Sequence, residues 1–136
     1  MIKKIDHIGI AVTNIEEKEK IYREGLGIEI AEKVTVPEQK ARVAIMHVGE
    51  VKLELVEPIS ESSPIAGFLK KKGEGIHHIC FEVEDIAAES ARLKKAGMKI
   101  IESASEVGAG GTKVLFIHPS STGSVLFELV EHPLKK

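Results

Sequence analysis

The sequence predicts an α+β fold made of two tandem βαβββ modules whose curved mixed sheets enclose a cleft. Three observations carry this. Ile5 to Val12, IDHIGIAV, returns as Ile76 to Val83, IHHICFEV. Val51 to Pro58, VKLELVEP, returns as Val125 to His132, VLFELVEH. Between the members of each set lies a capped helical pattern followed by β-prone runs. The shared histidines, His7 and His78, are 71 positions apart, and the shared glutamates, Glu54 and Glu128, are 74 apart, a difference that loops absorb. We therefore read residues 1–136 as a single domain of two repeats, about 5–58 and 76–132, joined by a linker over 59–75. Two repeats are too few for a solenoid, so the two curved sheets are expected to meet and enclose a cleft between them.

Length and composition bound the reading. A chain of 136 residues that is 43% hydrophobic has enough apolar material for a true core. Nineteen basic against twenty-one acidic residues, no basic run and 4% aromatics give no electrostatic case for nucleic acid. Cys80 alone excludes an intrachain disulfide framework, and neither a signal peptide nor an apolar run of membrane-spanning length stands out. The expectation is a cytoplasmic protein with no membrane partner.

In chain order, 5–12 alternates as a strand, with Ile8, Ile10 and Val12 on one face and His7 on the other beside Gly9 and Ala11. In the second copy Ile79, Phe81 and Val83 form the bulky face and His78 shares its face with Cys80. Asn14, with Glu17 three residues on, caps a helix over 15–24 that Gly25 and Gly27 end. Strands over 28–35, 40–48 and 51–57 follow, the last two joined by the tight turn Gly49-Glu50. The linker carries a short helix over 64–72. Asp85 caps the second helix, 86–96, which Gly97 ends. Strands over 98–103, 112–118 and 124–131 complete the pattern, with a glycine-rich loop through Gly108, Gly110 and Gly111 and a turn over 119–123. Eight strands and two main helices result.

Four polar residues stand out. Glu128 lies on a strand face with Leu126 and Val130, where a carboxylate is costly unless it is paired or binds a cation. A histidine on a strand is by itself usually structural. Two histidines and two glutamates at duplicated positions converge if the repeats pack about a local twofold axis, and nitrogen with carboxylate oxygen suits divalent zinc, cobalt, nickel, manganese or iron. His7, Glu54, His78 and Glu128 are thus candidate ligands, and the cleft is expected to be metal-centred. His47, His77, His118 and His132 have no repeat-related partner in a ligand-like position and are expected to be structural or exposed. Cys80 is expected to be a small apolar lining residue.

With DHIGIAV, VKLELVEP, GIHHICFEV and GAGGTKVLFIHPSSTGSVLFELVE in view, the chain resembles the vicinal oxygen chelate superfamily (glyoxalase, bleomycin resistance and dioxygenase proteins) over nearly its full length, and within it the methylmalonyl-CoA epimerases. The resemblance places His7, Glu54, His78 and Glu128 on metal-ligand positions and Glu38, in VPEQ, on the position of a catalytic acid/base glutamate. It implies an isomerase that interconverts (R)- and (S)-methylmalonyl-CoA by removing the C2 proton through a metal-stabilised enolate. It further implies one divalent ion (cobalt, zinc, manganese or nickel, with cobalt favoured), an acyl-CoA substrate and a homodimer. Inverting C2 needs a base on one face and an acid on the other, for which Glu38 and Glu128 are the candidates. Glu54 also resembles the ligand set of glyoxalase I, so a lyase that isomerises a hemithioacetal is the alternative enzyme. A non-catalytic binding protein of the same fold is the alternative without chemistry.

Overall fold

The computed structural model describes residues 1–101 and 112–133. It holds seven strands and three helices among these residues: β1 (Ile2–Ala11), α1 (Ile15–Lys20), β2 (Ile30–Val36), β3 (Ala41–Val48), β4 (Val51–Pro58), α2 (Pro64–Lys72), β5 (Gly75–Val83), α3 (Ile86–Lys95), β6 (Lys113–Ile117) and β7 (Phe127–Glu131). The α+β class and the βαβββ order of the first repeat are as the sequence predicts. The linker helix spans residues 64–72 as expected.

The chain divides into two compact units, His7–His77 and a second that joins Met1–Asp6 to the residues from His78 onward. In the first, the strands run β2-β3-β4-β1, with β1 parallel to β4 and the other neighbours antiparallel. A parallel pair needs a long crossover between its strands, which α1, β2 and β3 supply. The β3–β4 hairpin closes from Val48 to Val51, and Gly49 at its tip has φ +60°, a conformation glycine adopts without strain. The strand alternation has the consequence expected of it. Val12 packs with Ile15, Ala44, Met46 and Leu55, and Ile10 and Tyr22 pack against them. Ala11, one residue earlier, joins Val36, Ala41, Val43, Val56 and Ile65 instead. Ile15, Met46 and Leu55 are fully buried, and each contributes roughly 1.5–3 kcal/mol by leaving water.

The second unit repeats the logic in the order β5-β7-β6, with β5 parallel to β7 and β6 antiparallel to it. Val83 packs with Leu93 of α3 and with Ile117 and Leu129. Cys80, on the other face, packs with Val114 and Val130 and is fully buried, the small apolar role the sequence suggests. Three expectations are adjusted. The helix over 15–24 is α-helical only to Lys20 and continues as a π turn over Ile21–Gly25, because the Leu26 amide reaches back to the Ile21 carbonyl at 3.3 Å. The strand over 98–103 is represented by a bridge of Ile100 to Ile117, with the Ile101 amide on the Phe116 carbonyl at 2.9 Å; its last two residues, and the glycine-rich loop with Gly108, Gly110 and Gly111, lie outside the described residues. The last strand begins at Phe127 rather than at residue 124, because Ser124 takes a left-handed φ of +78° and Val125 and Leu126 are irregular.

Candidate active site

The two histidine–glutamate pairs are built by the same local device. In the first unit β1 lies parallel to β4 with Gly9, two residues after His7, in register with Glu54; on the other side of β4 Glu54 faces Ile45 of β3. In the second unit Cys80, two residues after His78, is in register with Glu128, which faces Phe116 of β6. The duplicated motif has thus become a duplicated register. His7 Nε2 lies 3.6 Å from Glu54 Oε1, and His78 Nε2 lies 3.3 Å from Glu128 Oε1. His7, His78 and Glu128 are buried and Glu54 is half-buried. The His78 ring also meets Phe116 edge-on, with centroids 6.4 Å apart, which restricts its rotation.

These donors fit a divalent ion. Glu128 is only 4% exposed, and a divalent cation beside it would offset the cost of burying its charge. Imidazole nitrogen with carboxylate oxygen is the donor chemistry that zinc, cobalt, nickel and manganese accept.

Glu38 is placed differently. It occupies the exposed 3₁₀ turn Pro37–Gln39 between β2 and β3. Pro37 presets the first backbone angle of that turn, and Lys40 closes it in a left-handed conformation (φ +51°), its amide on the Pro37 carbonyl at 3.0 Å. Among the described residues the Glu38 carboxylate makes no hydrogen bond or ion pair.

Of the remaining histidines, His77 and His118 are structural and His47 is exposed. His77 is half-buried with its ring edge-on to Phe68 at 4.9 Å, and burial pushes its pKa down to about 4, so it is neutral near pH 7. His118 Nδ1 accepts the Ser120 amide at 3.0 Å and caps the turn that follows. His47 is exposed. His132 is half-buried and bonded to Asp6 at 2.6 Å.

Sequence reasoning missed one duplicated element. The second glutamate of each ELVE motif bonds the opening amide of the covering helix: Glu57 accepts from Ile15 N at 3.1 Å and Glu131 from Ile86 N at 2.8 Å. Together with the cap side chains Asn14 and Asp85, which accept from the Glu17 and Ala88 amides, each helix start is held to the strand that carries the candidate ligand. The signal is present in the motif itself, whose fourth and seventh positions are both glutamate in both copies.

Comparison with known proteins agrees with this architecture. The family described as the Glyoxalase/Bleomycin resistance protein/Dioxygenase superfamily matches residues 6–116. The ethylmalonyl-CoA/methylmalonyl-CoA epimerase of Cereibacter sphaeroides is 43% identical over 131 residues, which span 95% of this chain and 98% of that protein. The mitochondrial methylmalonyl-CoA epimerase of Bos taurus is 40% identical over 127 residues, 93% of this chain and 73% of that protein. Among solved structures, a methylmalonyl-CoA epimerase in complex with methylmalonyl-CoA and NH4+ superposes with a TM-score of 0.90 at 33% identity, covering 96% of this chain and 95% of that one. The chain belongs to the glyoxalase/bleomycin resistance/dioxygenase superfamily and, within it, to the methylmalonyl-CoA epimerases, enzymes of the isomerase class.

Proposed function

We propose that the protein, a single domain of two repeats, interconverts the two epimers of methylmalonyl-CoA with a single divalent ion held by His7, Glu54, His78 and Glu128. The observation that carries this reading is the pair of repeat-related histidine–carboxylate sites at 3.6 and 3.3 Å, and the relatives named as ethylmalonyl-CoA/methylmalonyl-CoA and methylmalonyl-CoA epimerases support the substrate. When bound, the ion supplies Lewis-acid charge next to the thioester carbonyl, where negative charge develops as the C2 proton leaves. The proton transfers fall to the chain itself. Glu38 takes the C2 proton onto a carboxylate oxygen while the C–H electron pair moves towards the carbonyl oxygen. Glu128 is the candidate proton donor for the new C–H bond from the opposite face, through the oxygen not used by the ion, and the reverse reaction exchanges the two roles. The Pro37–Gln39 turn fixes the backbone of Glu38, and the register of β5 with β7 fixes that of Glu128. Cobalt as the ion, a homodimer as the assembly and the cytoplasm as the location complete the reading; no helix among the described residues is long and apolar enough to cross a membrane.

Incubation with methylmalonyl-CoA in deuterated water tests the reaction. Wild type is expected to incorporate deuterium at C2. Glu38→Gln is expected to retain its metal and lose roughly 10²–10⁴-fold in exchange, the usual contribution of a positioned acid or base. Unchanged exchange in Glu38→Gln overturns its assignment, and turnover of methylglyoxal with glutathione in place of methylmalonyl-CoA overturns the substrate.

A further inference from the structure

We propose that Asp6, Glu82 and His132 form a second divalent-cation site, of the kind that takes zinc, separate from the two histidine–glutamate pairs. All three residues belong to the unit that joins Met1–Asp6 to the residues from His78 onward. Their nearest donor atoms, one imidazole nitrogen and two carboxylate oxygens, lie within 4.8 Å of one another. His132 Nε2 is 2.6 Å from Asp6 Oδ1 and 3.6 Å from Glu82 Oε1. Bonds of about 2.0–2.2 Å to a tetrahedral zinc put neighbouring donors roughly 3.3–3.6 Å apart. The Glu82 spacing already matches. The Asp6 oxygen needs to withdraw by a little under 1 Å, as an ion replaces the proton now shared between it and the imidazole.

The placement follows from the strands. Glu82 lies four residues after His78 along β5, so alternation returns it to the face of β5 that carries His78, and His132 lies just beyond the end of β7, four residues after Glu128. The pair is repeated with its residue types exchanged: carboxylate on β5, imidazole following β7. Asp6 adds a third donor, and its side chain is only 5% exposed, whereas that of His132 is 35% exposed, which leaves a path for the ion and for a water as fourth ligand. Lys3 Nζ lies 3.4 Å from the outer oxygen Oε2 of Glu82 and leaves Oε1 turned to the imidazole, and a divalent ion there would offset the cost of burying the Asp6 carboxylate.

Zinc titration of the metal-free full chain, read by equilibrium dialysis and circular dichroism, tests this. Wild type is expected to bind two zinc ions per chain. His132→Ala is expected to bind one, and Glu82→Gln to bind the second at least tenfold more weakly, while both keep the wild-type spectrum. Glu82→Gln leaves the Asp6–His132 hydrogen bond in place and carries the test if His132→Ala unfolds. Unchanged stoichiometry and affinity in the variants overturn the proposal. His7→Ala serves as the independent arm: zinc lost from His132→Ala but retained in His7→Ala supports the second site even where the four-ligand reading fails.

Discussion

The two repeats solve one problem with unequal means. In the first, His7 stands 3.6 Å from Glu54, whose side chain is 15% exposed; in the second, His78 stands 3.3 Å from Glu128, whose side chain is 5% exposed. The covering helix of the first repeat has six α-helical residues before it turns π, whereas that of the second has ten. Its supporting carboxylate, Glu57, is shared with Arg42 at 3.4 Å, while Glu131 is shared with Lys113 at 3.7 Å. The second repeat therefore holds its pair more tightly and drier. The first also carries Glu38, the proposed acid/base, on its open turn, and the 71- and 74-residue offsets place no carboxylate at the corresponding part of the second repeat.

The comparison can be broken most forcefully at the ligands. If the drier pair dominates metal retention, His78→Ala and His7→Ala each lose at least about 100-fold in cobalt or zinc affinity, since even outer-shell partners of a metal cost 10–100-fold, and the loss is greater for His78→Ala. Equal losses by isothermal titration would show that the difference in burial has no energetic weight. Next in size are the carboxylates beneath the helices. Glu131→Ala is expected to destabilise by roughly 1.5–3 kcal/mol, the range for a hydrogen bond to a charged group, and Glu57→Ala by a similar amount through the loss of both the Ile15 amide and Arg42. Urea denaturation of the two variants reads this, and a change below about 0.5 kcal/mol in either would show that the helix start is held by its cap side chain alone. The smallest effect is expected at acid pH. Arg92, and after it the amino group of Met1, hold the Glu89 carboxyl down to about 2 from its ordinary 4.5. A carboxyl depressed in the folded state contributes its stability above the unfolded pKa and loses it as pH falls through the folded one, so the contribution fades between about pH 4.5 and 2. Arg92 is 55% exposed and water screens it. Stability measured over that window is expected to fall less steeply in Glu89→Gln than in wild type; parallel curves would remove Glu89 from the acid response.

Much of the fold and of the candidate site is legible in the amino-acid sequence. Strand alternation assigns Val12 and Ala11 to different cores, and the cap residues Asn14 and Asp85 mark both helix starts, because each signal is local and acts through backbone geometry. The histidine and glutamate pairs are legible for a different reason: duplication exposes them, where a single copy of His7 would read as an ordinary strand residue. What stays hidden depends on partners far along the chain. His132 meets Asp6 across 126 positions, and neither residue has a repeat-related twin to draw notice. The end of α1 is hidden as well, since a π turn is a choice between neighbouring carbonyls that composition does not encode. The adjusted start of β7 reflects the left-handed Ser124, which no residue preference announces.

The assignment of Met1–Asp6 to the unit that begins again at His78 has a consequence for how the chain comes off the ribosome. Residues 7–77, with both of their apolar clusters, are made before Glu82, Glu89 and His132, which Lys3, Met1 and Asp6 meet. Asp6 and Lys3 then wait for Glu82, and Asp6 for His132, some seventy-five to one hundred and twenty-six positions later. Closing so long a loop costs only slightly more than closing a short one, because the entropy grows with the logarithm of length. The delay is one of time rather than of free energy: the second unit is sealed by residues synthesised first, at the moment the last strand is released.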